Sequence, residues 1–385
     1  MVASRPLGRL LPTVLALLAG GGACLSAAPT LHAADWTRFR GENGSGVSAD
    51  AAALPAEFSD SKNLAWSVDL PGAGKSSPIV VGNKVIVTAW TGTGPEDLMR
   101  HVIAFDRKTG QQLWKKDVAP VVPDEQFRGM FAENGYASHT PATDGKNVYC
   151  FFGVSGVVAY DLDGNQLWGP VSVGTDFNER DWGSASSPIL YKDLLIVTAG
   201  AESRSMVALN KQTGQEVWKQ PADQLGNIWS TPALMERGDG SSDIVIGVSG
   251  EIWGINPENG KLRWNAVGGQ GEGARISVIV DGGLAIMLGE RDTNALAVSG
   301  GGQGDVTETN IVWSKNHRGN IGTPVCADGL VYWVANGTVN CIDAKTGEEV
   351  YQERLEAPSA PADPAVTPAA AQVPAEGGGE QAPAG

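Results

Sequence analysis

The chain has 385 residues, 51 of them glycine and 12 tryptophan, with 18% charged residues and a formal net charge of -15. That length holds two ordinary domains or one large repeat domain. The acidic balance excludes the basic footprint of a nucleic-acid-binding protein and attraction to anionic lipid by charge alone.

The N-terminus reads as an export signal over residues 1–34. Arg5 and Arg9 form a basic start, Leu10 to Ala19 a short apolar run, and Leu31-His32-Ala33-Ala34 a small-residue end, which predicts a mature protein starting near Asp35. The apolar run is too short for a transmembrane helix, so no span is expected after cleavage. Cys24 follows Gly21-Gly22-Ala23 without the usual leucine three residues before it, which makes a lipid anchor at Cys24 the weaker reading. Cys150, Cys326 and Cys341 then remain, an odd and sparse set that predicts buried thiols and no disulfide framework.

Asp35 to Val47 (DWTRFRGENGSGV) opens the mature chain with Trp36, Phe39 and Arg40 before a glycine-rich turn. Asn63 to Leu70 is predicted as a strand carrying Trp66. The first full unit has strands at Ser76 to Val80, Lys84 to Trp90, His101 to Phe105 and Gln112 to Val118. Further units begin at Ser138-His139-Thr140-Pro141, Ser186-Ser187-Pro188, Ser230-Thr231-Pro232, a degenerate Arg275 to Val280, and Gly322-Thr323-Pro324. Proline lacks an N–H, so it is tolerated at the first residue of an innermost strand. From Glu356 the composition shifts to Ala, Pro, Gly, Glu and Gln, which predicts a disordered tail over 356–385.

One stretch organises the rest. Ala104 to Trp114 reads AFDRKTGQQLW, and it recurs as ALNKQTGQEVW ending at Trp218, GINPENGKLRW ending at Trp264, CIDAKTGEEVY ending at Tyr351 and the shorter AYDLDGNQLW ending at Trp168. Each copy is a β-hairpin with a polar turn, a glycine able to take positive φ, and an aromatic at a set place. The closing aromatics Trp66, Trp114, Trp168, Trp218, Trp264, Trp313 and Tyr351 fall about fifty residues apart, the period of a four-stranded propeller blade. The prediction is an all-β fold, a β-propeller of about six to seven four-stranded blades over 35–355.

The A-x-D-x-x-x-G-x-x-x-W units resemble the tryptophan-docking repeats of pyrroloquinoline-quinone (PQQ)-type β-propellers, the quinoprotein alcohol dehydrogenase-like fold. The opening DWTRFRGENGSGVS, with ENGYASHTP (Glu133 to Pro141) and GSASSPILYKDLLIVTAG (Gly183 to Gly200), is similar to exported PQQ-like repeat proteins of the planctomycete type, often likened to the outer-membrane assembly lipoprotein BamB. The resemblance implies packing roles by position. Ala104 and Ala208 would pack inside a blade, Asp106, Asp161 and Asp343 would tie the turns, and Gly110, Gly214, Gly260 and Gly347 would lie under the tryptophan of a neighbouring blade.

Function is less clearly written than fold, since this architecture carries enzymes, scaffolds and sensors alike. The chain has no adjacent Cys-Cys pair, and no Asp/Glu/Asn calcium set can be matched residue by residue. The expectation is therefore a non-catalytic exported binding scaffold with an envelope protein partner, periplasmic, outer-membrane associated or secreted, and with no cofactor. One alternative is a PQQ-dependent oxidoreductase using PQQ and Ca²⁺. The other is a small-ligand or carbohydrate-binding sensor. Loops on one face carry the candidate ligand residues Arg128, Glu133, His139, Asp181, Trp182, Glu202, Arg204, Trp229, Glu290 and Arg291. His139 has no histidine or cysteine at ligand spacing, which speaks against zinc. Gly300, Gly301, Gly302 and Gly304 open no helix in a βαβ unit, so they read as a flexible connector and no nucleotide loop.

Overall fold

The computed structural model describes residues 35–355 except 51–53, 93–96, 121–134, 177–181, 272 and 291. The predicted export signal, Cys24 and the Ala/Pro-rich tail lie outside the described residues.

Among the described residues six sheets follow one another along the chain, each an up-and-down antiparallel meander of four strands, to which sheet 4 adds a short fifth strand. Sheet 1 is Ile79–Val81, Lys84–Thr91, Met99–Asp106 and Gln112–Val118. Sheet 2 is Ala142–Thr143, Asn147–Phe151, Val157–Asp161 and Gln166–Val171. Sheet 3 is Ile189–Tyr191, Leu194–Ala199, Ser205–Asn210 and Glu216–Pro221. Sheet 4 is Ala233–Glu236, Ser242–Val248, Glu251–Ile255 and Leu262–Val267. Sheet 5 is Ile279–Asp281, Leu284–Met287, Ala295–Ser299 and Ile311–Lys315. Sheet 6 is Val325–Ala327, Leu330–Ala335, Thr338–Asp343 and Glu349–Arg354. This is an all-β propeller.

The hairpin between the third and fourth strands of a sheet is set by local chemistry. The Asp106 carboxylate accepts the backbone N–H groups of Lys108 and Thr109, both at 2.9 Å, and Asn210 and Asp343 cap the same turn in sheets 3 and 6. These turn hydrogen bonds favour the ionised Asp106 and hold its pKa below the usual carboxylate value. Each turn is followed by a register shift in the strand pair, as between Ala104 and Phe105.

Strands buried on both faces carry apolar residues at successive positions, and these interlock between neighbouring sheets. Sheets 1 and 2 share Ile79, Ile86, Val102, Val148 and Tyr160, and further cores of the same kind join sheets 2 to 3, 3 to 4, 4 to 5 and 5 to 6. On the other face of sheet 1 the apolar cluster among the described residues is small, Ala89, Ile103 and Phe105 with Val87 beside them. Among the described residues no core joins sheet 6 to sheet 1.

A chain of hydrogen bonds runs around the channel at the residues that precede the inner strands. Ser77 N–H donates to the Thr140 hydroxyl, Thr140 N–H to Ser187, Ser187 N–H to Thr231, Thr231 N–H to Ser277 and Ser277 N–H to Thr323, all at 2.9–3.1 Å. A residue before proline is held extended, and four of these five hydroxyls precede one: Thr140, Ser187, Thr231 and Thr323. Ser77 precedes Pro78 as well and supplies only the N–H. The five links join six sheets in order, and the sixth, from Thr323 to Ser77, is not made.

The N-terminal segment crosses this ring. Trp36 pairs with Val80 of sheet 1 through two backbone bonds, and Thr37 accepts from Thr143 of sheet 2. Arg38 donates to Pro232 O at 2.7 Å, Arg40 to Pro324 O at 2.5 Å, and Asn43 both donates to and accepts from the Leu234 backbone. One short stretch thus ties sheets 1, 2, 4 and 6 together. Arg38 is buried, and loss of hydration lowers its pKa to about 10.

Asn63–Leu70, predicted as a strand, pairs with no other strand; its backbone has no neighbour to form a ladder, and Leu64, Val68 and Leu70 are exposed. The glycine-rich stretch after Ser299 is also different from its sequence reading. It is ordered against sheet 4: Gly304–Asp305 runs parallel to Trp264–Asn265, and Val306 N–H donates to Asn265 O. Cys150, Cys326 and Cys341 are buried free thiols. No helix among the described residues is long and apolar enough to cross a membrane.

Candidate functional site

The closing aromatics fall into three kinds. The Nε1 of Trp66, Trp114, Trp168, Trp218 and Trp313 donates at 2.9–3.0 Å to the backbone carbonyl of Arg107, Leu162, Lys211, Pro257 and Ala344, each in the turn of the next sheet. Those indoles lie over Gly110, Gly164, Gly214, Gly260 and Gly347, where an added Cβ would come within 2.6–2.9 Å of the ring. Trp264 instead turns inwards, is buried, and donates to Asp243 of its own sheet at 2.8 Å. Tyr351 is 42% exposed and covers no turn.

The face named by the loops contains a cavity of about 650 Å³ at the channel mouth. Phe39 and Arg40 of the N-terminal segment, Trp182 and Trp229, the cations Lys75 and Arg275, and the hydroxyls of Ser138, Ser184 and Thr231 line it. Among the described residues none that lines it is acidic, although the whole chain carries -15. The Trp182 and Trp229 rings pack at 5.3 Å and 44°. Trp229 Nε1 donates to Gly183 O at 3.0 Å, which fixes that ring against the loop entering sheet 3. The Arg275 guanidinium lies over the Trp229 ring, 5.9 Å from its centre, and pairs with Glu290 at 3.0 Å.

Behind this cavity lies a buried pocket of about 30 Å³ lined by Arg100, Tyr136, His139, Gly153, Ser184 and Glu202 among others. Glu202 sits on the four-residue helix Gly200–Ser203, inserted between the second and third strands of sheet 3 and ended by Arg204 in a left-handed conformation. Ser184 Oγ donates to Glu202 Oε1 at 2.5 Å and is bonded to His139 Nε2 at 2.9 Å. With the single serine proton directed at the carboxylate, the imidazole carries its proton on Nε2 and donates to Ser184. His139 Nδ1 and Glu202 Oε2 are buried without a partner. Burial pushes the Glu202 carboxyl up to about 7, against the opposing pull of the Ser184 hydrogen bond. Burial, then the positive charge of Arg100, takes His139 down to about 3.

Of the sequence candidates, His139 and Glu202 share the buried pocket, and Trp182 and Trp229 form the channel-mouth wall. Glu290 faces a neighbouring cavity with Asp292 and Asn320, and Arg204 lies 3.8 Å from Asp223, away from the mouth. Arg128, Glu133, Asp181 and Arg291 lie outside the described residues. Sequence reasoning did not select Ser184, Lys75, Phe39 or Arg40 for this site. Ser184 carries no charge to notice, and Phe39 and Arg40 arrive from a segment far away in sequence. Among the described residues no group of three His, Cys, Asp or Glu side chains is placed to hold a metal ion.

A family model described as "Outer membrane protein assembly factor BamB" matches residues 42–176 and 98–353. The protein of that name from Yersinia pestis is 22% identical over 279 residues, covering 69% of this chain and 56% of its own length. That from Shewanella oneidensis is 28% identical over 171 residues, covering 42% of this chain and 38% of its own. The chain therefore spans little more than half, or less, of the curated relatives it matches. The crystal structure of BamB from Moraxella catarrhalis is similar in fold, with a TM-score of 0.50 at 12% identity over 72% of each chain.

Proposed function

The chain belongs to the family described as outer membrane protein assembly factor BamB, and from that premise we propose that it is an exported β-propeller scaffold that binds protein partners in the cell envelope during outer-membrane assembly. The match of the family model along the repeats carries this reading. The geometry gives it a place to act. All six residues of the last strand, Glu349–Arg354, are exposed, and Tyr351, where other units dock a tryptophan, covers no turn among the described residues. Exposed apolar side chains at a sheet that lacks its neighbour suit protein binding better than bulk solvent.

The test is genetic. Loss of the gene in its own organism is expected to lower the β-barrel protein content of the outer membrane, and the full chain supplied in trans to restore it. Unchanged barrel content in the deletion strain would remove the scaffold reading.

A second reading, a propeller that binds a small ligand, is favoured by the channel-mouth cavity with its packed Trp182 and Trp229. Rigid aromatic walls beside a few polar groups are the usual build of a small-molecule site. Saturable quenching of tryptophan fluorescence, lost in Trp229→Ala, would support it. A flat response across sugars and organic anions would count against it.

A further inference from the structure

We propose that Ser184 is a nucleophile that takes up acyl groups from esters or thioesters entering the channel mouth, with Glu202 as its general base. Gly135, Ser138 and Ser184 line both the open cavity and the buried pocket; the half-buried Ser184 is the one whose hydroxyl is held from behind by Glu202 and His139. The Oγ–H is directed at Glu202 Oε1, 2.5 Å away, and His139 Nε2 lies 2.9 Å from the same oxygen. A nucleophile and base within hydrogen-bond reach, with a further donor on the nucleophilic oxygen, is the arrangement that activated hydroxyls share.

The environment of each group fits its task. Glu202 is 2% exposed, and one of its oxygens has no partner. A carboxylate moved towards neutral by burial is suited to take and return a proton near pH 7. His139 stays neutral there, so it acts as a fixed donor that stabilises negative charge developing on Oγ. Its ring is held against Phe151, 4.4 Å between centres.

The step balances without a co-reactant beyond water. As Ser184 Oγ bonds to the acyl carbon, its proton passes to Glu202. The ester C–O or thioester C–S bond breaks, and the leaving oxygen or sulfur takes the proton back from Glu202. Water then attacks the acyl-serine, Glu202 takes its proton, and the acid is released as Oγ is reprotonated. Among the described lining residues Lys75 and Arg40 bring positive charge to the same cavity, while Arg275 is already paired with Glu290. The substrate class is accordingly an ester or thioester with an anionic group, its apolar part against Trp182, Trp229 and Phe39. This activity is independent of the scaffold role, which uses the far sheet.

The experiment is labelling of the full chain with a fluorophosphonate probe, in which Oγ–P forms, P–F breaks and fluoride leaves. Expected is one label per chain, mapped to Ser184 by mass spectrometry, with a rate that rises with pH through about 7. Ser184→Ala should abolish the label while keeping a cooperative melt. Glu202→Gln, which retains an acceptor for the hydroxyl, should slow labelling by about 10²–10⁴-fold. An unlabelled wild-type chain that melts cooperatively, a label on another residue, or equal rates in Glu202→Gln and wild type would each overturn the proposal.

Discussion

The indole Nε1 of Trp264 donates to the Asp243 carboxylate 2.8 Å away, inside its own sheet, while Trp218 one sheet earlier donates to a carbonyl of the next. The reason lies on both sides of the ring. Sheet 5 has no Asp-x-x-x-Gly turn to receive Trp264; residues 300–310 fold back onto sheet 4 instead. Across the strand pair, Gly254 stands where the other units have Ala or Cys, and a Cβ there would come within 1.9 Å of the indole. Asp243 is fully buried and also pairs with Arg237 at 2.9 Å and Arg263 at 2.5 Å.

Asp243→Ala removes the acceptor of that indole and the buried carboxylate that pairs with Arg237 and Arg263. Breaking a buried pair by deleting one partner costs about 3–5 kcal/mol. A urea melt is expected to show that loss. Gly254→Ala should destabilise too, and a Gly254→Ala chain as stable as wild type would mean that the ring is not held in this pocket.

The outward-docked indoles lead to a graded series. Trp114 lies on Gly164, where φ is +82° and a Cβ would sit 2.9 Å from the ring. Trp114→Ala is expected to cost about 3–5 kcal/mol, as large core truncations do. Gly164→Ala meets both a strained backbone and the indole, and should cost about 1–3 kcal/mol. Tyr351→Ala, at an exposed position, should stay within about 0.5 kcal/mol. Equal losses in all three, read from denaturant midpoints, would contradict this ranking.

The hydroxyl ring makes a third prediction. Thr231→Val keeps the shape of the side chain but leaves the buried Ser187 N–H without its acceptor. An orphaned buried donor costs about 1–3 kcal/mol. Thr231→Ser retains the oxygen and should recover most of that loss, which separates hydrogen bonding from packing.

Glu202 and His139 pull stability in opposite directions with pH. The folded pKa of Glu202 is raised to about 7 from 4.5, so its favourable contribution is whole below 4.5 and is lost as pH climbs through 7. The folded pKa of His139 is lowered to about 3 from 6.5, so stability is lost as pH falls below 6.5. Between 4.5 and 6.5 the two slopes offset each other. Glu202→Gln removes the first alone. Relative to wild type it should gain stability from pH 5 to pH 8, by about 3 kcal/mol at most. Urea midpoints at both values check this, and an unchanged difference would show that Glu202 is not buried as described.

The fold was legible because its unit is local. Asp106, Gly110 and Trp114 lie within one hairpin, so turn chemistry and an aromatic mark it without help from the rest of the chain. The hydroxyl ring was harder to see. Its partners, such as Thr140 and Ser187, are 47 residues apart, and the Ser/Thr-Pro pairs read first as a statement about proline. The repeated hydroxyl before the proline was the available signal. At the site, His139 and Glu202 drew notice through charge and Trp182 through its ring, whereas Ser184 acquires meaning only beside them. The altered setting of Trp264 was not read from the sequence, although Gly254 in place of alanine was a signal for it.

The segment that threads the ring has a consequence in time. Arg40 and the Pro324 carbonyl it reaches are 284 residues apart, so the first residues of this stretch to leave the ribosome are among the last to find their partners. Contacts that close such long loops form late, after local hairpins have condensed. Six sheets can assemble one after another, each on the last, but the bonds that span the break between the sixth and the first await the complete set. Shortening the chain before Pro324 would leave Arg40 without its end point, and assembly would stop as an open arc.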